Sequence, residues 1–107
     1  MLSDKLYKAD IDISSSGDNT VIAAPAGSFI AIDHINILPT SAVTVQLKDG
    51  ATAYGASYPL DAKQGLVFDN VMAHRDGIIT MSNSSAFVIN LGGAVQVSGF
   101  VRYRIVG

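Results

Sequence analysis

The feature that most constrains this chain is a spacing of two. Val43, Val45 and Leu47 alternate with Thr44, Gln46 and Lys48, and Asp49-Gly50 follows at once. Successive side chains of a strand point to opposite faces, so this spacing makes one face apolar and the other polar. Gly accepts positive φ, which reads Asp49-Gly50 as a tight hairpin turn and residues 51–54 as the return strand. The same alternation at residues 6–14 sets Tyr7, Ala9, Ile11 and Ile13 against Leu6, Lys8, Asp10 and Asp12. Residues 15–19, with Gly17-Asp18, read as a polar turn. Further short apolar runs cover residues 20–24, 29–38, 58–60, 65–69, 77–81, 86–91 and 94–106, and Gly92-Gly93 is a second hairpin signal. Residues 71–76 read as a loop or a single helical turn.

Composition agrees. All nine acidic residues are Asp and none is Glu. Glu supports helices, whereas Asp favours turns and caps. The ten Gly and three Pro are scattered between the apolar runs. Eight or more short strands at this spacing give a β-sandwich or a small barrel. The expectation is an all-β chain, a jelly-roll-type antiparallel β-sandwich. At 107 residues it makes one domain, 1–107, with residues 1–7 as an N-terminal arm.

Two strands carry irregularities. In residues 29–38, Ile30 and Ile32 fall on one phase and Ile35 and Ile37 on the other. A strand keeps its phase unless a bulge intervenes or both faces are covered, so a bulge near Asp33-His34 is expected, or a second face buried by another subunit. The last run would extend roughly 40 Å unbroken, at about 3.3 Å per residue, and Gly99 is the expected bend or bulge. Its inward set is Val95, Val97, Val101, Tyr103 and Ile105. Gln96, Ser98, Arg102 and Arg104 face outward, with Phe100 the odd apolar member. With the first strand beside the last, Asp10 and Asp12 would face Arg102 and Arg104, or each charge would simply be solvated.

The chain has no Cys, which excludes disulfides, thiolate metal sites and thiol nucleophiles. A formal charge of −2 argues against an electrostatic nucleic-acid partner. No apolar run reaches the ~18 residues of a membrane helix, and the charged start provides no signal-peptide core. No membrane partner is expected. Asn83-Ser84-Ser85 fits a glycosylation sequon but is read as chance without an export signal. Charged residues make up only 15% against 49% hydrophobic, where about 25% charged is usual. Such a chain is expected to have much of its surface covered by neighbours, as a subunit of an assembly.

No catalytic set stands out, and no enzyme activity is expected. His34 lies mid-strand among Ile residues and reads as a hydrogen-bonded structural residue. His74 lies in Ala73-His74-Arg75-Asp76, but no Ser stands in a Gly-x-Ser-x-Gly elbow. Asp10 and Asp12 share one strand face, yet a calcium site wants six to eight oxygens. No metal or cofactor is expected. Tyr54 and Tyr58 flank Gly55 in one loop. They read as a sugar-stacking pair or, more readily, as contacts to a neighbouring subunit.

Residues 19–27 (Asn-Thr-Val-Ile-Ala-Ala-Pro-Ala-Gly), 42–50 (Ala-Val-Thr-Val-Gln-Leu-Lys-Asp-Gly) and 90–99 (Asn-Leu-Gly-Gly-Ala-Val-Gln-Val-Ser-Gly) carry a resemblance. The chain resembles small bacteriophage virion structural proteins of the jelly-roll β-sandwich type, of the head decoration (cement) kind. It departs from them at Ser98-Gly99, where the family has Gly-Gly, and at residues 70–76, where the family has a Trp-Phe loop. The resemblance implies a homotrimer seated on the capsid exterior, with the major capsid protein as partner. A tail-fibre or receptor-binding module for a host surface glycan is the alternative. Candidate oligomer or capsid contacts are Leu2, Leu6, Tyr7, Tyr54, Tyr58, His74 and Arg75.

Overall fold

A computed structural model describes residues 5–71 and 76–107. Ten strands follow one another: β1 (Tyr7–Ile13), β2 (Gly17–Ile22), β3 (Phe29–Pro39), β4 (Val43–Asp49), β5 (Thr52–Ala53), β6 (Tyr58–Leu60), β7 (Leu66–Asp69), β8 (Ile79–Thr80), β9 (Phe87–Leu91) and β10 (Val97–Val106). They form two antiparallel sheets. The first has the order β1-β10-β3-β7, with β8 also on β3. The second has the order β2-β9-β4-β5, with β6 also on β4.

β7 and β8 share one edge of β3, against residues 34–37 and 31–32. β5 and β6 likewise share one edge of β4. Each pair acts as one interrupted strand, so the ten strands fill eight positions, with successive positions mostly alternating between the sheets. The resulting order is a jelly roll: first beside last beside third beside sixth, and second beside seventh beside fourth beside fifth.

The alternation supplies the core. Ile11, Ile30, Ile32, Ile35, Ile37, Val97 and Val101 point inward from the first sheet, and Val45, Leu47, Phe87, Ile89 and Leu91 meet them from the second. Among the described residues no polar or charged residue is buried. Apolar burial stabilises by roughly 25 cal/mol per Å² removed from water.

The phase change in β3 is a bulge. Arg102 pairs with His34 and Tyr103 with Ile32, leaving Asp33 without a partner on β10. One extra residue lets Ile30 and Ile32, and then Ile35 and Ile37, all face the core.

Four local expectations are corrected. Gly17 and Asp18 belong to β2 rather than to a turn, because Gly17 pairs with Leu91 and Asp18 with Asn90. Gly92-Gly93 closes no hairpin, since β9 and β10 lie in different sheets and the segment crosses between them. β10 begins at Val97, later than expected, and runs through Gly99 without a register shift there. Gly99 is required by proximity: a Cβ there would lie 1.8 Å from the Asn36 carbonyl oxygen. Finally, β1 does pair with β10, but Asp10 faces Phe100, Asp12 faces Ser98, and Lys8 faces Arg102. Arg104 is engaged instead with Asp33.

Candidate interaction margin

The margin that holds β5, β6, β7 and β8 carries the most developed surface feature. After β5 the chain is tied back to β4: the Tyr54 amide donates to the Leu47 carbonyl at 2.8 Å, and Gln46 Nε2 donates to the Gly55 carbonyl at 3.2 Å. Tyr58 pairs with Val45 and therefore points inward. Its ring meets Phe68 of the opposite sheet with centroids 6.0 Å apart. The Ile78 amide donates to the Ile32 carbonyl at 2.7 Å, fixing the approach to β8. Between these elements opens a pocket of about 240 Å³, lined by Leu47, Tyr54, Gly55, Tyr58, Phe68, Ile78 and Ile79. Its walls are mainly aliphatic and aromatic. Such a lining can take up apolar groups.

Tyr54 and Ile78 of its lining are exposed large apolar side chains, and elsewhere on the surface Val71 is 80% exposed, Val67 60%, and Leu38 is exposed as well. The connection bearing Val71 starts from a fixed point at the bulge. The Asn70 amide donates to the Asp33 carbonyl oxygen at 2.8 Å, and Asn70 Nδ2 donates to Asp33 Oδ1 at 2.9 Å. Burial pushes the Asp33 carboxyl up. Hydrogen bonds from Arg104 and Asn70, with the Arg104 charge, outweigh it and hold the group below the ordinary carboxylate range.

On the outer face of the first sheet, His34 Nδ1 lies 3.2 Å from Asp69 Oδ1. Asn36 Nδ2 lies 3.0 Å from His34 Nε2, and the imidazole packs 5.3 Å from the Phe100 ring. Both ring nitrogens are engaged, so His34 is a hydrogen-bonded member of the sheet surface. On the second sheet Asp18 receives Lys48 Nζ at 2.9 Å and Asn90 Nδ2 at 2.7 Å. The Asn90 and Lys48 hydrogen bonds lower the Asp18 pKa. That face is a closed polar ladder. Among the described residues no group of three His or Asp side chains has a metal-binding arrangement.

Of the residues singled out in the sequence, the structure brings Tyr54 and Tyr58 into one pocket. Tyr7 is not in an arm but opens β1. Its ring stacks on Tyr103 at 5.5 Å, with the Lys5 ammonium 4.9 Å from its centroid. Tyr7, Tyr103, Ile32 and Ile79 lie on one row of the first sheet. That places Tyr7 three strand spacings, about 14 Å, from the pocket side. Leu6 is exposed just before β1. Leu2, His74 and Arg75 lie outside the described residues, so the His74-Asp76 pairing does too. Phe68, Val67, Val71 and Ile78 were not singled out. Val67, on the outward phase between inward Leu66 and Phe68, and Ile78, beside inward Ile79, were the available signals.

The fold is a jelly-roll β-sandwich, and one margin of it carries a largely apolar pocket. A scan against protein-family models finds no match, and a search of curated proteins finds no relative.

Proposed function

We propose that this chain is a structural subunit of a phage virion, a decoration protein that binds the outer surface of the head as an oligomer. The observation that carries the reading is a set of large apolar side chains that stand in water on a jelly-roll framework, Tyr54 and Ile78 at the pocket and Val67 and Val71 on and just after β7. Exposed apolar clusters mark surfaces that a partner covers. The motif resemblance over residues 19–27, 42–50 and 90–99 and the low charge content support the same reading. Cementing is a binding effect: a protein that binds the assembled shell and not its free parts stabilises the shell by mass action. Several linked copies strengthen it through effective concentration. The trimer and the major capsid protein are parts of this proposal. The test is native mass at micromolar concentration together with co-sedimentation on heads lacking the protein. An oligomer retained on heads supports the reading, and a monomer that stays in the supernatant overturns it.

A second reading, recognition of a host surface glycan by a tail-associated module, draws on the joint placement of Tyr54 and Tyr58 in the pocket. Binding on a glycan array that disappears in the Tyr54→Ala, Tyr58→Ala double variant supports it. Silence across the array removes it.

A further inference from the structure

Both sheets break their outermost position on the same margin. In the second sheet the Tyr54 amide donates to the Leu47 carbonyl, and Tyr58 pairs with Val45. A continuous strand would set one residue between those two points. This chain sets three, residues 55–57, which are exposed and belong to no strand. In the first sheet the Asn70 amide donates to the Asp33 carbonyl, and the chain next bonds β3 at Ile78, whose amide donates to the Ile32 carbonyl. Where the edges are interrupted, the space between the sheets stays open, and the pocket of about 240 Å³ enters there. Leu47 and Ile79 in its lining are core residues, 2% and 3% exposed. Tyr58 and Phe68 are partly buried and pack against the core from opposite sheets. The pocket is an opening into the core rather than a dent in the surface.

We infer that this pocket is a binding site for a small uncharged molecule built on an apolar ring system, of about the size of indole. Size sets the upper limit. An apolar cavity of roughly 150 Å³ lined by Leu, Ile and Phe holds benzene, so the larger space here takes one ring or two fused rings. Chemistry narrows the class. Among the described residues no charged side chain lines the pocket. A carboxylate or ammonium entering it would lose its water and gain no counter-charge, which is costly. A sugar carries a hydroxyl on nearly every carbon, whereas the only polar side chains of the lining are those of Tyr54 and Tyr58. Hydroxyls beyond those would go unpaired on entry. An apolar ring needs no such partners and packs against the Tyr58 and Phe68 rings, which are tilted 54° to each other. The site stands on the lining inside the pocket and needs no capsid, so it holds or fails separately from the virion reading.

The experiment titrates isotope-labelled protein with indole, with indole carboxylate as the same ring bearing a charge, and with methyl glucoside. The expected result is saturable binding of indole, with intermolecular nuclear Overhauser contacts to Tyr58, Phe68 and Ile79. Indole carboxylate should bind at least tenfold more weakly, and methyl glucoside should leave these signals unmoved. Tyr54→Ala, which removes an exposed wall, should weaken indole binding at least fivefold. Leu38→Ala, also exposed but outside the lining, should leave it unchanged. The contacts to Phe68 and Ile79 are read in the wild type, so the outcome stands even if Tyr54→Ala fails to fold. Absent or unsaturable shifts, contacts centred on other residues, equal affinity for the carboxylate, or an equal effect of Leu38→Ala overturns the proposal. Methyl glucoside binding as tightly as indole overturns it in favour of the glycan reading.

Discussion

Arg104 grips Asp33 through two hydrogen bonds, Nε to Oδ2 at 2.7 Å and Nη2 to Oδ1 at 3.0 Å. The grip falls on the one residue of β3 that β10 leaves unpaired. Both side chains are largely covered, at 13% and 22% exposure. Asp33 also anchors Asn70, so this pair locks the bulge and the start of the connection that carries Val71. Removing Arg104 leaves the Asp33 carboxylate covered and deprived of the Arg104 charge. Arg104→Ala is expected to cost about 2–4 kcal/mol, read from urea denaturation. Arg104→Lys keeps the charge without the fork and should fall between.

The same pair gives a pH dependence. The folded Asp33 pKa is held below its unfolded value, near 3.9 for a free Asp. The stabilisation is therefore fully present above about pH 5 and is lost as pH falls through the folded value. Urea midpoints measured from pH 6 down to pH 2.5 should fall in the wild type. In Asp33→Asn the midpoint should start lower and fall less steeply. Equal slopes in the two proteins would refute the assignment.

Deleting Asp33 should do far more than replacing it. Asp33→Gly keeps the residue count, so the isoleucines of β3 stay inward and the protein folds with reduced stability. Deletion shifts the register by one and turns either Ile30 and Ile32 or Ile35 and Ile37 toward solvent. All four are essentially fully buried. The deletion variant should show no cooperative unfolding transition in circular dichroism, while Asp33→Gly retains one.

The bulge was legible because two pairs of isoleucines on opposite phases leave few alternatives once both must be buried. The sheet class was legible for the same reason, since alternation and turn residues are local. Gly92-Gly93 shows the limit of that reasoning. A glycine pair marks a chain reversal, but whether the reversal stays within a sheet or crosses to the other depends on where β9 and β10 find partners far away in sequence. The pairing of β1 with β10 was legible, but the register that sets Asp10 and Asp12 opposite Arg102 and Arg104 is not the one that forms. A shift of two residues keeps every side chain on its face, so the hydrophobic pattern cannot distinguish Asp10 from Lys8 opposite Arg102. The margin was half legible. Tyr54 and Tyr58 lie close in sequence, whereas Phe68 and Ile78 join them only through the stacking of the two sheets.

Gly99→Ala tests how closely β10 and β3 approach. The added methyl would sit 1.8 Å from the Asn36 carbonyl oxygen. That oxygen belongs to backbone, so relief requires the strands to part. The expected loss is about 2–4 kcal/mol, at the upper end for overpacking. Amide exchange should rise along residues 97–101 and 35–39 and much less in the second sheet. Wild-type stability in Gly99→Ala would show that the strands separate easily and that proximity is not the reason for glycine.

Exposed apolar side chains separate an interface from a fold. Val71 is 80% exposed and Ile78 42%, so converting both to Asp should cost the free subunit only about 1–2 kcal/mol, most of it at the half-covered Ile78. On the virion reading, the same change places two carboxylates where a partner covers the margin. Desolvating them without a counter-charge is costly. Retention of Val71→Asp, Ile78→Asp on heads should fall at least tenfold in co-sedimentation, with the melting curve of the free protein only modestly lowered. Full retention would remove this margin from the capsid contact. A collapse of the melting curve would show instead that these side chains belong to the core of the sandwich.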